Sequence, residues 1–271
     1  MSLPSRPRPV VLITGASAGI GAELASIYAN HGWDLVLTAR RRDALQDRAD
    51  FLRDVYQATV TVIPENLADP AAPERLFDAI EAKGLTVDGL VNNAGFSRTD
   101  GFLNSDPAAH RAMIQVMLAA PVELARLFAP GMVERGYGRI LNVASLAGQM
   151  PATGGDTLYG PIKSFLIKAS QGLHLELRGT GVHVTALCPG YTLTEFHDAN
   201  GTREQVSSAY PAWMWQTAGH VARVGSEACE ANRPRVTPGV MNNQLAGLDK
   251  QLPDRVALGM VGGHAKRLKR I

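Results

Sequence analysis

Short apolar runs and longer amphipathic stretches alternate along most of this chain. Val10-Val11-Leu12-Ile13 is a β-branched run that ends in a glycine-rich turn, the pattern of a strand buried on both faces. Ile20 to Asn30 follows with apolar residues at helical spacing (Ile20, Leu24, Ile27, Tyr28), and His31-Gly32 supplies a stop. Further strands are predicted over Asp34 to Ala39, Thr59 to Ile63, around Leu90-Val91, Gly138 to Ala144 and Val182 to Leu187. Helices are predicted over Arg41 to Tyr56, about Asp106 to Glu134, and Leu158 to Leu177. Pro121 falls inside the long central helix, so a kink or break is expected there. Repeated strand–helix alternation predicts an α/β fold: a doubly wound, Rossmann-like parallel sheet with helices on both faces. Beyond Pro189 the pattern loosens, and Thr192 to Thr217 reads as a mobile flap.

Residues 10–260 are expected to form a single domain. Residues 1–9 read as a loose leader rich in Pro and Arg, and residues 261–271 as a basic, solvated tail. The 271 residues suffice for a core without metal or disulfide. Apolar residues make up 45% and charged residues 19%, which excludes intrinsic disorder. A net charge of +2 without a concentrated basic stripe argues against nucleic acid as a partner. Cys188 and Cys229 offer neither a disulfide framework nor zinc spacing and suit a reduced, cytoplasmic compartment. The apolar runs are too short to predict a membrane span.

Candidate chemistry begins at Thr14-Gly15-Ala16-Ser17-Ala18-Gly19-Ile20-Gly21, between the first strand and the first helix. Glycines there permit positive φ and close backbone approach, and the helix N-terminus offers free N–H groups to a pyrophosphate. The end of the second strand is the next test. A carboxylate would suit the ribose hydroxyl of NAD, and arginine the extra phosphate of NADP. The chain reads Arg40-Arg41-Arg42, and a guanidinium pairs with phosphate through a planar fork of donors. The cofactor indicated is NADP(H); a bland alternative is that these arginines merely open a solvated helix.

Ser145 follows the fifth strand, on the edge that faces the ligand crevice. Tyr159 and Lys163 are spaced so that both side chains can lie on one helix face. A phenol of ordinary pKa about 10 is a poor proton donor near neutrality, and a neighbouring ammonium is expected to lower it. Tyr159 then serves as general acid or base at a carbonyl oxygen that Ser145 holds in place. Gly160-Pro161 lies between them, and Pro161 is tolerated only in a first helical turn.

Taken together, these segments resemble the short-chain dehydrogenase/reductase family, common single-domain type, over about Val10 to Thr194. Gly15, Ser17, Ala18, Gly19, Ile20 and Gly21 resemble its cofactor turn. Asn92-Asn93-Ala94-Gly95 resembles its N-N-A-G motif, and Ser145, Tyr159 and Lys163 match its catalytic residues. Pro189-Gly190-Tyr191-Thr192 resembles the segment that closes on the nicotinamide carboxamide. Asn66-Leu67 stands where the family usually has Asp-Leu beside the adenine. Arg235 to Gly239 resembles the last strand of bacterial members of unassigned substrate.

The resemblance implies hydride transfer between nicotinamide and a small carbonyl or alcohol substrate. It implies cofactor contacts at Gly15, Ser17, Ala18, Gly19, Ile20, Gly21, Arg40, Arg41, Asn66, Leu67, Asn93, Ala94, Gly95, Tyr159, Lys163, Pro189, Gly190 and Thr192, and a homodimer or homotetramer. Substrate contacts are expected at Ser145, Tyr191, Phe196, Trp213 and Trp215, with Tyr210 nearby, favouring a hydrophobic or aromatic carbonyl compound. Gly154-Gly155 leaves room for a bulky ligand.

Met117 departs from the family, which usually carries an Asn there to anchor a proton-relaying water. A thioether donates nothing. Met117 is read either as core filling or as the mark of a catalytically impaired NADPH-binding pseudoenzyme or sensor. A methyltransferase would leave Ser145, Tyr159 and Lys163 unexplained. Epimerases of the extended type are longer and space their glycines differently.

Overall fold

The structure is a computed structural model that describes residues 8–98, 101–151, 156–195, 211–248, 253 and 255–259. Residues 1–7 of the predicted leader, the predicted tail over residues 261–271, Gly154-Gly155, Phe196 and Tyr210 lie outside the described residues.

Seven strands form one parallel sheet: β1 (Val10–Thr14), β2 (Asp34–Thr38), β3 (Val60–Val62), β4 (Val87–Asn92), β5 (Gly138–Val143), β6 (Val182–Leu187) and β9 (Arg235–Val236). Their spatial order is β3-β2-β1-β4-β5-β6-β9. The order reverses beside β1, so the connections that leave β1 and β4 run to opposite faces of the sheet and leave a crevice at the carboxyl ends. All five residues of β1 are buried, and they alternate between two cores. Val11 and Ile13 join Leu24 and Tyr28 of α1 (Gly19–Asn30), Leu45 and Leu52 of α2 (Arg42–Tyr56) and Val221 of α7 (Ala218–Glu230) on one face. Val10 and Leu12 join Leu76 and Ile80 of α3 (Ala72–Glu81) and Leu124 and Phe128 of α5 (Ala120–Glu134) on the other. This is the period-two burial of a strand with helices on both faces. Neither α3 nor α7 is among the helices expected from the sequence. After β9 the chain forms α8 (Val240–Leu248).

The expected break at Pro121 takes a specific form. Helix α4 (Pro107–Ile114) runs into a π-helical turn over Gln115–Ala119 and then into α5. Pro121 has no N–H to give the carbonyl of Met117 four residues back, and its ring crowds that carbonyl. The wider turn absorbs the conflict, and Ala120 N–H donates to Gln115 O, five residues back.

The composite helix Pro107–Glu134 is long and apolar enough to meet the composition of a membrane span, which corrects the expectation from run lengths. Half of its most apolar stretch is buried in the protein, where Met113, Met117, Ala120, Leu124, Phe128 and Met132 pack in the core. It is a core helix of the sheet's second face.

The segment Thr192 to Thr217 is not wholly irregular. β7 (Thr192–Leu193) pairs in parallel with β8 (Gln216–Thr217), and a short 3-10 turn covers Ala212–Met214. The described ends of the predicted flap are therefore tied to each other.

Candidate active site

At the head of the crevice β1 ends in Gly15, whose φ of +64° requires a residue without Cβ. Thr14 Oγ1 donates to Val91 O and accepts from the N–H groups of Asn93 (2.9 Å) and Ala94 (3.0 Å). Asn93 Nδ2 donates to the carbonyls of Thr14 (3.0 Å) and Gly15 (3.1 Å). The Asn93 amide thus braces the glycine turn from β4. A Cβ on Gly21 would collide with the Gly15 carbonyl and stand 2.5 Å from Asn93 Nδ2, so only glycine lets α1 start this close to the turn.

Ala18 caps α1 without a side-chain hydrogen bond, and the first turn holds no acidic residue. Gly19 follows at φ +57°. The α1 N-terminus therefore presents backbone donors and a partial positive charge with no side chain answering them, which fits a pyrophosphate. Arg40 lies exposed between β2 and α2. Arg41 is the α2 cap; its Nη2 donates to Ser17 Oγ at 3.4 Å and pairs with Glu195 Oε2 at 2.8 Å. A guanidinium and a hydroxyl side by side fit a phosphate monoester. Beyond β3, Leu67 is buried, and Asn66 Oδ1 accepts from Ala68 N at 3.2 Å, so Asn66 shapes its own turn. These donor groups fit a phosphorylated dinucleotide lying across the carboxyl edge.

At the far end of the crevice, Ser145 follows β5 and Tyr159 opens α6 (Tyr159–Glu176), so Pro161 falls in the first turn as required. Ser145 Oγ accepts from Ala147 N at 3.1 Å and is hydrogen-bonded to the Tyr159 side chain. Lys163, one turn on, is buried, donates to Val143 O at 2.8 Å and holds its ammonium 5.7 Å from the Tyr159 ring centre. Gly95 is pressed between Met117 and this lysine: a Cβ there would stand 3.0 Å from Met117 Sδ and 3.6 Å from Lys163 Nζ.

The titration of the pair differs from the expectation. Burial pushes the Tyr159 phenol well above its ordinary range, the Ser145 hydrogen bond opposes this, and the Asp156 carboxylate adds to it. Burial lowers Lys163 to about 8, against a smaller opposing contribution from Cys188. Among the protein's own groups, desolvation dominates the phenol's shift, and Lys163 is not one of the groups that lower it.

Pro189 O accepts from Leu146 N at 2.8 Å, which ties the β6 turn to the serine loop. A Cβ on Gly190 would stand 2.6 Å from Asn242 Nδ2, so α8 folds back onto this turn. Thr192 is buried, with its hydroxyl on Gly190 O at 3.0 Å. The Tyr191 and Trp215 rings lie 5.4 Å apart, whereas Trp213 is 65% exposed. Tyr191 and Trp215 come together and Trp213 turns outward. Thr194 and Glu195, not singled out in the sequence, lie over the glycine turn: a Cβ on Gly19 would stand 3.1 Å from Thr194 Cβ. Thr194 sits two residues past Thr192 in an extended run, a usable signal, whereas nothing local marked Glu195 or Asn242.

A family model for short chain dehydrogenases matches residues 9–205. The chain is 36% identical over 189 residues to an NADP-dependent 3-hydroxy acid dehydrogenase, YdfG, of Escherichia coli K12, covering 67% of this chain and 71% of that protein. It is 34% identical over 189 residues to sulfoacetaldehyde reductase 2 of Chromohalobacter salexigens, covering 69% and 74%. A short-chain dehydrogenase from Sphingobium yanoikuyae in complex with NADPH superposes with TM-score 0.78 at 30% identity, over 91% of this chain and 97% of that one. Sheet order, glycine turn and the serine–tyrosine–lysine cluster agree with these matches, and the chain belongs to the short-chain dehydrogenase family.

Proposed function

We propose that the chain is an NADP(H)-dependent oxidoreductase acting on a CH–OH or C=O group, with Tyr159 as general acid or base. The observation that carries the reading is the half-buried Tyr159, hydrogen-bonded to Ser145 with the buried Lys163 one turn away, at the carboxyl edge that also bears the glycine turn. The impaired-enzyme alternative drawn from Met117 has no support: the residue is 1% exposed and fills a core of Met113, Val116, Ala120 and Ile162.

In carbonyl reduction, the chemistry that NADPH would supply when bound is a hydride for the carbonyl carbon. The Tyr159 hydroxyl gives its proton to the carbonyl oxygen, which becomes the alcohol, and the Ser145 hydroxyl donates a hydrogen bond that fixes that oxygen. Lys163, lowered to about 8, holds or yields a proton near neutral pH and so suits the return of a proton towards the phenol. The free donors at the α1 N-terminus take the pyrophosphate. Ser17, Arg40 and Arg41 take the 2′-phosphate.

On the substrate side, Tyr191 and Trp215 form an aromatic wall next to the paired strands β7 and β8. This favours a hydrophobic or aromatic carbonyl compound. Residues 10–260 act as one catalytic unit. The exposed apolar residues Ile114, Val122 and Phe165 support self-association into a dimer or tetramer. Two buried free thiols support a reducing, cytoplasmic setting.

Tyr159→Phe tests the assignment. Turnover should fall at least 100-fold on any accepted carbonyl compound while NADPH binding, read by fluorescence titration, stays within twofold. Full turnover in that variant would place the proton donor elsewhere.

A further inference from the structure

Glu195 and Arg41 are separated by 154 residues, yet Arg41 Nη2 donates to Glu195 Oε2 at 2.8 Å. The same Nη2 faces Ser17 Oγ at 3.4 Å. Thr194, next to Glu195, lies against Gly19 on the phosphate turn. The carboxylate is therefore seated among the groups that offer donors to a phosphate. Both partners are more than half exposed, at 58% and 61%, and such a pair contributes at most about 1 kcal/mol to stability. Its consequence lies in its position.

A carboxylate and a phosphate prefer the same face of a guanidinium and accept from the same N–H groups. Two anions on one guanidinium repel. Arg40, the adjacent cation, forms no ion pair among the described residues, so the carboxylate pairs with Arg41. We propose that Glu195 is an internal competitor for the 2′-phosphate subsite. Its carboxylate takes the edge of Arg41 that the phosphate needs, lowers the affinity for NADP(H), and leaves NAD(H), which lacks that phosphate, unaffected. This rests on the reading above that Ser17 and Arg41 hold the 2′-phosphate.

The test uses the full chain and four ligands: NADPH, NADH, adenosine 2′,5′-bisphosphate and 5′-AMP. The last two reach the adenosine half alone, so they report the phosphate subsite without closure over the nicotinamide. In Glu195→Gln, calorimetry should show the two 2′-phosphorylated ligands binding about two- to fivefold tighter, the scale of one exposed ion pair, with NADH and 5′-AMP unchanged. The gain should shrink at high salt. Equal weakening of NADPH and NADH would make Glu195 a strap that holds the loop on the coenzyme and would overturn the proposal. Unchanged binding of all four ligands would overturn it too.

Arg41→Ala separates the two levels of the argument. If that variant keeps the wild-type ratio of NADPH to NADH affinity, the phosphate assignment itself is wrong. If it loses the ratio while Glu195→Gln changes nothing, only the competition fails.

Discussion

Lys163 carries an energetic cost that its chemistry explains. Its amine is buried with one recorded acceptor, the Val143 carbonyl, and its pKa falls from an ordinary 10.5 to about 8. The folded chain therefore binds fewer protons than the unfolded chain between pH 8 and 10.5. Stability contributed by this group rises with pH across that window, and below pH 8 the full penalty applies, on the order of 3 kcal/mol. Lys163→Met should abolish turnover yet stabilise the protein at pH 7 by about 1–2 kcal/mol, after allowance for the orphaned carbonyl. That gain should fade by pH 10; urea midpoints at the two pH values would show it. Met117 illustrates the opposite case. Its identity could be read from the sequence, but its meaning depended on whether the thioether faced the crevice or the core. Packing against Gly95 and Ile162 settled that in favour of the core.

The glycine turn and the broken central helix are the elements on which the site depends. Gly21 is glycine because α1 begins in contact with the Gly15 carbonyl and the Asn93 amide. Gly21→Ala should push α1 off the turn. We expect NADPH affinity to drop at least tenfold and stability to fall by about 1–3 kcal/mol, as for overpacking at a closed site; a fluorescence titration and a thermal melt would check each. Strand β6 agrees with its predicted span to the residue, and the other interior strands within a few, because buried parallel strands are short apolar runs with sharp ends. Pro121 announced a break, but the π-turn itself depends on how the two half-helices must meet the sheet. Helix α3 was legible in the sequence though not expected: Ala72, Pro73, Leu76 and Ile80 form its buried stripe at helical spacing, and Glu74, Asp78 and Glu81 lie exposed on the opposite face.

At the scale of the whole molecule, Ile114 on α4, Val122 on α5 and Phe165 on α6 are among the exposed apolar side chains, each more than 40% exposed. Light scattering should report a dimer or tetramer, and Val122→Asp with Phe165→Asp should shift it towards monomer. A monomeric wild type at micromolar concentration would contradict this. Fold class, glycine turn and the tyrosine–lysine pair were set by the sequence alone, since each depends on residue type at short spacing: buried runs, positive φ, one helical turn. Residues far apart in the chain required the tertiary structure. Arg41 meets Glu195, Asn93 braces Gly15, Asn242 reaches Gly190 and burial raises the Tyr159 phenol only because the parallel sheet brings every carboxyl end to one edge. Desolvation and long-range pairing are properties of that edge, and no local pattern encodes them.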